Sequence, residues 1–450
     1  MTAPPPSTTP QRIWQALLVL TLGLLAWRIA AVGLASVQVR ALDSGDATAA
    51  RQALVWYPGQ AAALYHQGLE RHDDDPAAAA EKLTAAFSHN PTDPRPLLVL
   101  AGLALANGDA ARADRLVAHV DALRPSNADL QRDLGQYWLQ RQRPEQAFQH
   151  WSRAIAADPG LAPPLFATFR QLFQDPSHAA TFAALTRNPP DWWTDFFVDT
   201  AQHGQDLSTL RRLYRLRREA PAAPLTQRER QAYYERLLRE GLSAEAYLAW
   251  VNSLNPVQRQ QLGPLYNGSF ELPLLGRGFD WRIEPLDRVD VTRAPFEGES
   301  RNALRLRFRL LRTPYRHLVQ PLLLAPGAYE LTGSSRALNL LTEGGFRWQV
   351  RCLAPTPALL GESERLFGSD TWSAFRFEFE VPDTCRDQEL RLVSADGAGR
   401  EVLTDGELWF AQLGIRRLAA LSPLTRGKLE ASRMEAQGAT APATEPPPSP

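Results

Sequence analysis

The residues best suited to acid–base or metal chemistry are scattered along this 450-residue chain. Seven of the eight histidines precede residue 204, and the sequence contains neither an HExxH motif nor a metal-spaced set of cysteine and histidine. The phosphate-binding motif GxGxxG and the motif GxSxG, whose serine is a nucleophile, are absent as well. Carboxylates are plentiful, but no two stand out as a general acid and base. The sequence therefore predicts a non-catalytic protein without a metal or a cofactor.

Tryptophan side chains are better candidates for ligand contact, because exposed aromatic faces surrounded by polar groups bind sugar rings. Trp281 and Trp372 fall at the edges of predicted strands, where their rings could be exposed. Trp348 shares a face with apolar neighbours, and Trp409 shares one with Leu413 and Ile415. We therefore expect Trp348 and Trp409 in a core.

Arginines on the outward faces of the same strands form the second group of ligand candidates. They are Arg305, Arg307, Arg309, Arg347 and Arg351. They could bind a uronate-bearing polymer, or form a solvated sheet face paired with Glu378 and Glu380. The candidates that we select for glycan binding are Trp281, Trp372, Arg336 and Arg347.

Cysteine usage leaves two options open. Cys352 and Cys385 are the only cysteines of the chain. They could form a disulfide in an oxidising space such as a periplasm. The alternative is a pair of free buried thiols.

Alternation of apolar and polar residues predicts β-strands after Gly263. In Leu304–Leu311, Phe346–Cys352 and Phe375–Val381, apolar residues alternate with charged or polar ones. This period of two with one apolar face is typical of antiparallel sheets that cover a core. Because turn signals separate the strands, we expect an antiparallel β-sandwich over 264–420.

A 34-residue period organises the region before these strands. Columns with this spacing are Pro91, Pro125 and Pro159; Ala79, Ala113 and Ala147; Leu83, Val117 and Trp151; and Ala86, Val120 and Ala154. The unit that ends at Pro159 also carries Leu134-Gly135 and Trp138, and it resembles the tetratricopeptide repeat (TPR). The resemblance implies helix pairs stacked into a curved array, which we place at 38–160, with degenerate helical repeats at 161–263.

A TPR array holds its partners on an inner face lined by the first helix of each unit. Arg95, Arg132 and Gln136 lie on predicted first helices, and we expect them to face a partner-binding groove. The basic run at 211–218 could bind an acidic partner or anionic lipid, or form a solvated helix face.

The stretch Ile13–Val37 contains a single charged residue, Arg28. As a helix, its 25 residues would extend about 37 Å, which is enough to cross a hydrocarbon core of about 30 Å. The leading interpretation is an uncleaved transmembrane anchor at 13–37. The alternatives are a signal peptide cleaved after Gly33-Leu34-Ala35 and a buried helix of a soluble domain. We interpret 1–12 and the Pro-rich end of 421–450 as disordered tails.

Several segments of the β region carry a second resemblance. They are NGSFE (267–271), GFDWRI (278–283), LLLAPGAYELTGSSR (322–336), the DTW and FEFEVP segments of 370–382, and ELWFAQLGIRRL (407–418). Their order resembles the galactose-binding-like jelly rolls, in particular carbohydrate-binding modules of the family 4/9 type. This resemblance implies a jelly roll that serves as a binding module, an enzyme accessory or a spacer.

Together these features predict a multidomain α + β protein with an N-terminal transmembrane helix, an α-helical TPR solenoid and a C-terminal antiparallel β-sandwich (jelly roll). The layout resembles bacterial exopolysaccharide and cell-envelope assembly proteins. The leading hypothesis is a non-catalytic protein of the bacterial inner membrane, single-pass and mostly periplasmic, with protein partners in the TPR groove and polysaccharide as a further ligand. The alternatives are an enzyme or enzyme subunit acting on polysaccharide and a purely structural scaffold. The net charge of zero argues against a nucleic-acid partner.

Overall fold

A computed structural model describes residues 9–42, 47–220, 222–295, 301–342, 344–367, 371–394 and 403–418. The predicted C-terminal tail lies outside these residues, as does 1–8 of the N-terminal one. Thr9–Arg12, which we assigned to that tail, are instead helical. The chain divides into two compact units, Met1–Phe196 and Phe197–Pro450.

The first unit is built from helices. They are α1 (Thr9–Leu42), α2 (Ala47–Trp56), α3 (Ala61–Glu70), α4 (Pro76–His89), α5 (Arg95–Ala106), α6 (Ala110–Leu123), α7 (Ala128–Gln140), α8 (Pro144–Ala157), α9 (Ala162–Gln174) and α10 (Ala179–Arg187). Short 3-10 turns at Pro159–Leu161 and Pro176–His178 precede α9 and α10. Helix α11 (Trp193–His203) crosses the division between the units.

Small residues allow consecutive helices to pair closely. A Cβ atom on Gly135 of α7 would come within 2.3 Å of the Trp151 ring of α8. At the starts of α4 and α6, Asp75 and Asp109 accept hydrogen bonds from backbone N–H groups, so the helix caps also recur with the 34-residue period. The predicted TPR-like helical architecture is confirmed.

The second unit begins with helices and ends with strands. After α11 come α12 (Leu207–Arg218), α13 (Gln227–Arg239), α14 (Ser243–Ser253) and α15 (Pro256–Arg259). The strands are β1 (Arg282–Ile283), β2 (Val289–Pro295), β3 (Asn302–Leu311), β4 (Leu318–Leu322), β5 (Gly327–Leu341), β6 (Phe346–Ala354), β7 (Ala358–Glu362), β8 (Ser373–Val381), β9 (Asp387–Ser394) and β10 (Thr404–Leu418).

The strands form two antiparallel sheets. The first sheet has the order β1-β4-β9-β6-β7, and the second has the order β2-β3-β10-β5-β8. One buried cluster draws on both sheets, with Trp348 and Leu390 from the first and Leu306 and Phe410 from the second. The predicted antiparallel β-sandwich is therefore confirmed, and Trp348 lies in its core as expected.

A disulfide joins Cys352, on β6, to Cys385, in the turn before β9. The two Cα atoms are 5.8 Å apart. Of the two options that the sequence left open, the structure contains the paired form.

Candidate functional site

The outer face of the first sheet contains a groove of about 870 Å³. Because Phe346, Trp348 and Val350 point into the core, the alternation of β6 directs Arg347 and Gln349 outward into the groove. Pairing across the sheet aligns Gln349 with Arg391 of β9 on one side and with Glu362 of β7 on the other. The sheet itself therefore positions the polar floor of this groove.

Positive charge dominates the groove. The charged lining residues are Arg316, Arg347, Arg351, Arg365 and Arg391, with Glu362 as the one carboxylate among the described lining residues. Glu362 accepts hydrogen bonds from Arg347 and, at 3.0 Å, from Nε2 of Gln349. Arg391 pairs with the buried Glu389 at 2.9 Å. Since two acids offset five arginines, the groove is suited to an anionic ligand.

Three buried polar atoms of this groove make no hydrogen bond to any described residue. They are Nε of Arg347, Nε of Arg391 and the hydroxyl of Tyr315. Buried donors without a partner cost free energy, and these three lie beneath the surface of the groove, out of contact with solvent. Burial also raises the pKa of Tyr315, which keeps its hydroxyl protonated and able to donate.

The outward arginines that we grouped together lie on opposite faces of the sandwich. Arg347 lines the groove of the first sheet, whereas Arg305 and Arg309 lie on the outer face of the second. Arg305 pairs with Glu407 and Arg309 pairs with Asp290. The second face thus balances its charges locally, and the groove does not.

The prediction that Trp409 lies in the core was wrong. Trp409 is half-buried on the outer face of β10, while its neighbour Phe410 is buried. The register shifts between Ala411 and Gly414, where Gln412 has a φ of 54°. This bulge reverses the alternation of the strand, so Leu413 faces the core and Trp409 does not. A bulge of this kind left no clear signal in the sequence.

Trp409 lies between two arginines on that second face. Pairing across the sheet places Trp409 opposite Arg305 on β3 and opposite Arg336 on β5. The Arg305 guanidinium is 5.5 Å from the Trp409 ring centroid. Trp372 is half-buried and directly precedes β8, the strand next to β5. The structure therefore places the candidates Arg336 and Trp372 on the sheet opposite Arg347.

The prediction that Trp281 contacts a glycan was wrong, because its ring is fully buried. The ring centroid is 5.4 Å from that of Phe270 and 5.7 Å from that of Trp348. Its Nε1 donates to the carbonyl oxygen of Asn267 at 3.2 Å. The segment that contains Asn267 and Phe270 therefore packs against a ring that the sequence placed at an exposed edge.

A second groove, of about 590 Å³, lies on the first unit. Arg95 lines it, pairs with Asp93 at 2.7 Å and places its guanidinium 5.1 Å from the Tyr65 ring centroid. The other predicted groove residues are not part of the lining. Arg132 pairs with neighbouring carboxylates of α7, and Gln136 is exposed elsewhere on that helix.

The basic run at 211–218 is not a uniform solvated face. Arg217 is buried and its Nε lies 2.8 Å from the carboxylate of Glu229. Arg211 pairs with Glu245 at 2.5 Å. Both contacts join α12 to the helices that follow, so these two arginines hold the helices together.

One helix in the described part of the chain is long and apolar enough to cross a membrane. The span is Ile13–Val39, and 6% of its most apolar 18-residue stretch is buried. By length and composition it fits a single-pass anchor or a signal sequence. The described residues include no group of three or more histidine, cysteine, aspartate or glutamate side chains that could hold a metal ion.

Comparison with known proteins gives matches to both halves of the chain. A family model described as tetratricopeptide repeat matches residues 70–132. Among solved structures, 51% of this chain aligns with 93% of Pseudomonas aeruginosa PilF, at 14% identity and a TM-score of 0.27. No curated protein matches the chain.

Two carbohydrate-binding modules also align with this chain. A CBM4 structure aligns over 34% of this chain and 99% of its own length, at 12% identity and a TM-score of 0.27. TmCBM61, solved in complex with β-1,4-galactotriose, aligns over 35% of this chain and 99% of its own length, at 19% identity and a TM-score of 0.24.

Proposed function

We propose that this protein is a non-catalytic, membrane-anchored scaffold of the bacterial envelope that binds an acidic glycan through its β-sandwich. The TPR-like helices supply the protein contacts, with the groove around Arg95 as the docking site for a partner segment. The groove of the first sheet supplies the glycan site. This arrangement suits a role in exopolysaccharide or cell-envelope biogenesis.

The observation that carries the glycan proposal is the excess of arginine in the groove, where five arginines line the same surface as one carboxylate. The side chains of Arg347 and Arg391 are 26% and 30% exposed, so part of each guanidinium group is open to a ligand. A sugar carboxylate can accept hydrogen bonds from both guanidinium groups. The net positive lining favours a uronate-bearing or otherwise anionic polymer over a neutral one.

The small number of carboxyl groups in the groove favours binding over hydrolysis. Glycoside hydrolysis by the usual mechanisms requires two carboxyl groups across the scissile bond. Among the described lining residues Glu362 is the one carboxylate, and it already pairs with Arg347. An enzyme acting on polysaccharide is therefore the weaker alternative.

The proposed location rests on two features. The apolar helix Ile13–Val39 supports a single-span anchor. The disulfide between Cys352 and Cys385 supports an oxidising compartment for the β-sandwich, such as the periplasm. Both features agree with a bacterial inner-membrane protein whose bulk is periplasmic.

Calorimetry with the detergent-purified full chain tests the glycan site. We expect a polyuronate to bind and a neutral glucan of equal length not to bind. Changing Arg347→Gln and Arg391→Gln together removes two of the guanidinium groups that line the groove, and we expect the affinity for the polyuronate to fall at least about tenfold, or about 1.4 kcal/mol.

Arg307→Gln with Arg309→Gln is the matched control, because it removes the same two charges from exposed arginines on the outer face of the opposite sheet. It should leave the affinity unchanged. If both variants weaken binding equally, the effect is one of net charge and not of the groove. If no acidic glycan binds to the folded wild-type chain, the purely structural scaffold is the better account.

A further inference from the structure

Helix α1 changes character at Trp27. The large apolar side chains from Ile13 to Trp27 are each more than half exposed, and they lie on every side of the helix. Beyond that point one side is covered, because Ala31 is 5% exposed and Ala35 is fully buried. An apolar surface that is open all round suits lipid, whereas a single covered side is typical of a helix in a folded domain.

Helix α2 provides the cover. Ala35 forms one buried cluster with Ala49, Ala50 and Ala53 of α2. Alanines allow two helix backbones to approach closely, as the small residues do in the later helix pairs.

The same positions recur in the α3–α4 pair with a constant spacing. Counting 33 residues onward from Ala31, Ala35, Ala50 and Ala53 leads to Leu64, Gly68, Leu83 and Ala86. All of these residues are buried. A Cβ atom on Gly68 would come within 2.7 Å of Leu83, so α3 and α4 approach each other closely at this column.

We infer that the second half of α1, from Arg28 to Leu42, and α2 form an additional repeat unit that lies directly on the membrane surface. Helix α1 thus runs without interruption from the bilayer into the repeat array. The inference rests on the proposed membrane anchor, and it adds the position along α1 at which the helix leaves the hydrocarbon core.

Aromatic and cationic side chains mark the position at which α1 leaves the hydrocarbon core. The ring centroids of Trp27 and Trp56 are 6.2 Å apart, and the Arg28 guanidinium is 4.7 Å from the Tyr57 ring centroid. Tryptophan, tyrosine and arginine concentrate at the boundary between hydrocarbon and headgroups. Arg28 is then a boundary residue, which removes the difficulty of a charge in the middle of a span.

The polar face of α2 indicates the same boundary on α1. Arg51 and Gln52 are exposed on α2, so the part of α1 that α2 covers lies outside the hydrocarbon. The segment in lipid is then Ile13–Trp27, about 22 Å long and shorter than a typical core of about 30 Å. The uncovered side of α1 remains apolar beyond Trp27, with Ile29 and Val32 exposed, and its contact with the headgroup region offsets the short span.

The same packing favours retention of α1 over its removal as a signal peptide. Cleavage after Ala35 would remove both Ala31 and Ala35. It would thereby uncover the buried Ala50 and Ala53 of α2.

Paired cysteines in the full-length chain, in native membranes, test the packing. The two native cysteines are joined to each other, so introduced cysteines are the free thiols of the described residues. Ala35 and Ala50 occupy the positions of Gly68 and Leu83, so Ala35→Cys with Ala50→Cys should lose both thiols to a mild oxidant, as measured by maleimide–polyethylene glycol on the denatured chain. The control pair, Leu34→Cys with Ala50→Cys, should keep most of its thiols, because Leu34 lies on the uncovered side of α1.

Labelling with a membrane-impermeant maleimide tests where along α1 the hydrocarbon core ends. In opened membranes, Val32→Cys should react at least about tenfold faster than Leu20→Cys, because only Leu20 lies in hydrocarbon. A span centred on the whole stretch Ile13–Val39 would protect both positions, and that outcome would overturn the inference.

The anchor itself has a separate readout. If a carbonate wash releases the wild-type chain, or its amino terminus is Ser36, the proposed anchor fails along with the inference. If the chain stays in the membrane but the Ala35/Ala50 pair is not oxidised faster than its control, only the additional repeat is wrong.

Discussion

Asp280 shows how a single buried group sets a pH dependence. Its carboxylate is fully buried and accepts hydrogen bonds from the backbone N–H of Leu275 at 2.6 Å and of Trp281 at 2.7 Å. Burial is the largest influence, and it raises the pKa of Asp280 to about 6 although both N–H groups oppose the shift. In the unfolded chain this pKa is about 4. The folded state therefore binds the proton more tightly, and its stabilising effect is complete below pH 4 and lost as the pH rises through 6.

Changing Asp280→Asn should remove this dependence. Between pH 4 and pH 7 we expect the free energy of unfolding of the wild type to fall by about 2–3 kcal/mol relative to the variant, the equivalent of a two-unit shift. Urea titrations at pH 4, 5, 6 and 7 measure the difference. The exposed Asp287, changed to Asn, is the control and should follow the wild type. Parallel curves for Asp280→Asn and wild type would show that burial does not tune this carboxyl group.

Uninterrupted elements could be predicted from the sequence. The alternation is regular over residues 304–308 of β3 and 346–352 of β6, so Leu306, Phe308 and Trp348 lie in the core as expected. It breaks at Leu310, which the pattern placed on the apolar face of β3 but which is exposed with a φ of 52°, where the register with β10 shifts. In the helices, the 34-residue columns identify positions such as Gly135, where only a residue without a side chain fits against Trp151. Periodicity is sufficient wherever the backbone stays regular.

Irregular elements were predicted less well, for a physical reason. The bulge at Gln412 reverses the two faces of β10, and the loop around Asn267 covers Trp281. Both depend on long-range packing that leaves no local pattern. The groove combines residues of β6, β7 and β9, which are distant from one another in the sequence. Of the four residues that we selected as glycan-binding candidates, only Arg347 lines it.

Trp281 and Trp409, the two tryptophans whose burial was predicted wrongly, are expected to contribute very differently to stability. Trp281→Ala removes a fully buried ring and should destabilise the β-sandwich by about 3–5 kcal/mol. Trp409→Ala removes a half-buried ring that lies beside the Arg305 guanidinium and donates its Nε1–H to Glu407 at 3.1 Å, and it should cost about 1–2 kcal/mol. Urea unfolding followed by circular dichroism compares the two. Equal losses would mean that the bulge does not direct Trp409 outward.

At the scale of the whole molecule, the β-sandwich is not separate from the helices before it. Within the second unit, the Trp250 ring of α14 lies 4.9 Å from the Tyr266 ring and 5.6 Å from the Phe279 ring. The backbone N–H of Gly278 donates to Glu235 of α13 at 3.0 Å. We placed a boundary between 263 and 264 because the sequence pattern changes there. A change from helix to strand indicates a change of element, and it does not reveal which helices pack against the sheets.

This packing predicts that a fragment of residues 197–420 is more stable than one of residues 262–420. The shorter fragment exposes Tyr266 and Phe279, which Trp250 covers in the intact unit. At about 1.5–3 kcal/mol for each large apolar side chain buried, we expect a difference of several kcal/mol in the free energy of unfolding. Gly278→Ala provides a check specific to this contact. Its Cβ atom would lie 2.3 Å from the Trp250 ring, so it should destabilise the longer fragment more than the shorter one, in which only the strain of its positive φ remains. If both fragments unfold at the same urea concentration and respond equally to Gly278→Ala, the sandwich is an independent domain and its contact with α14 contributes nothing to its stability.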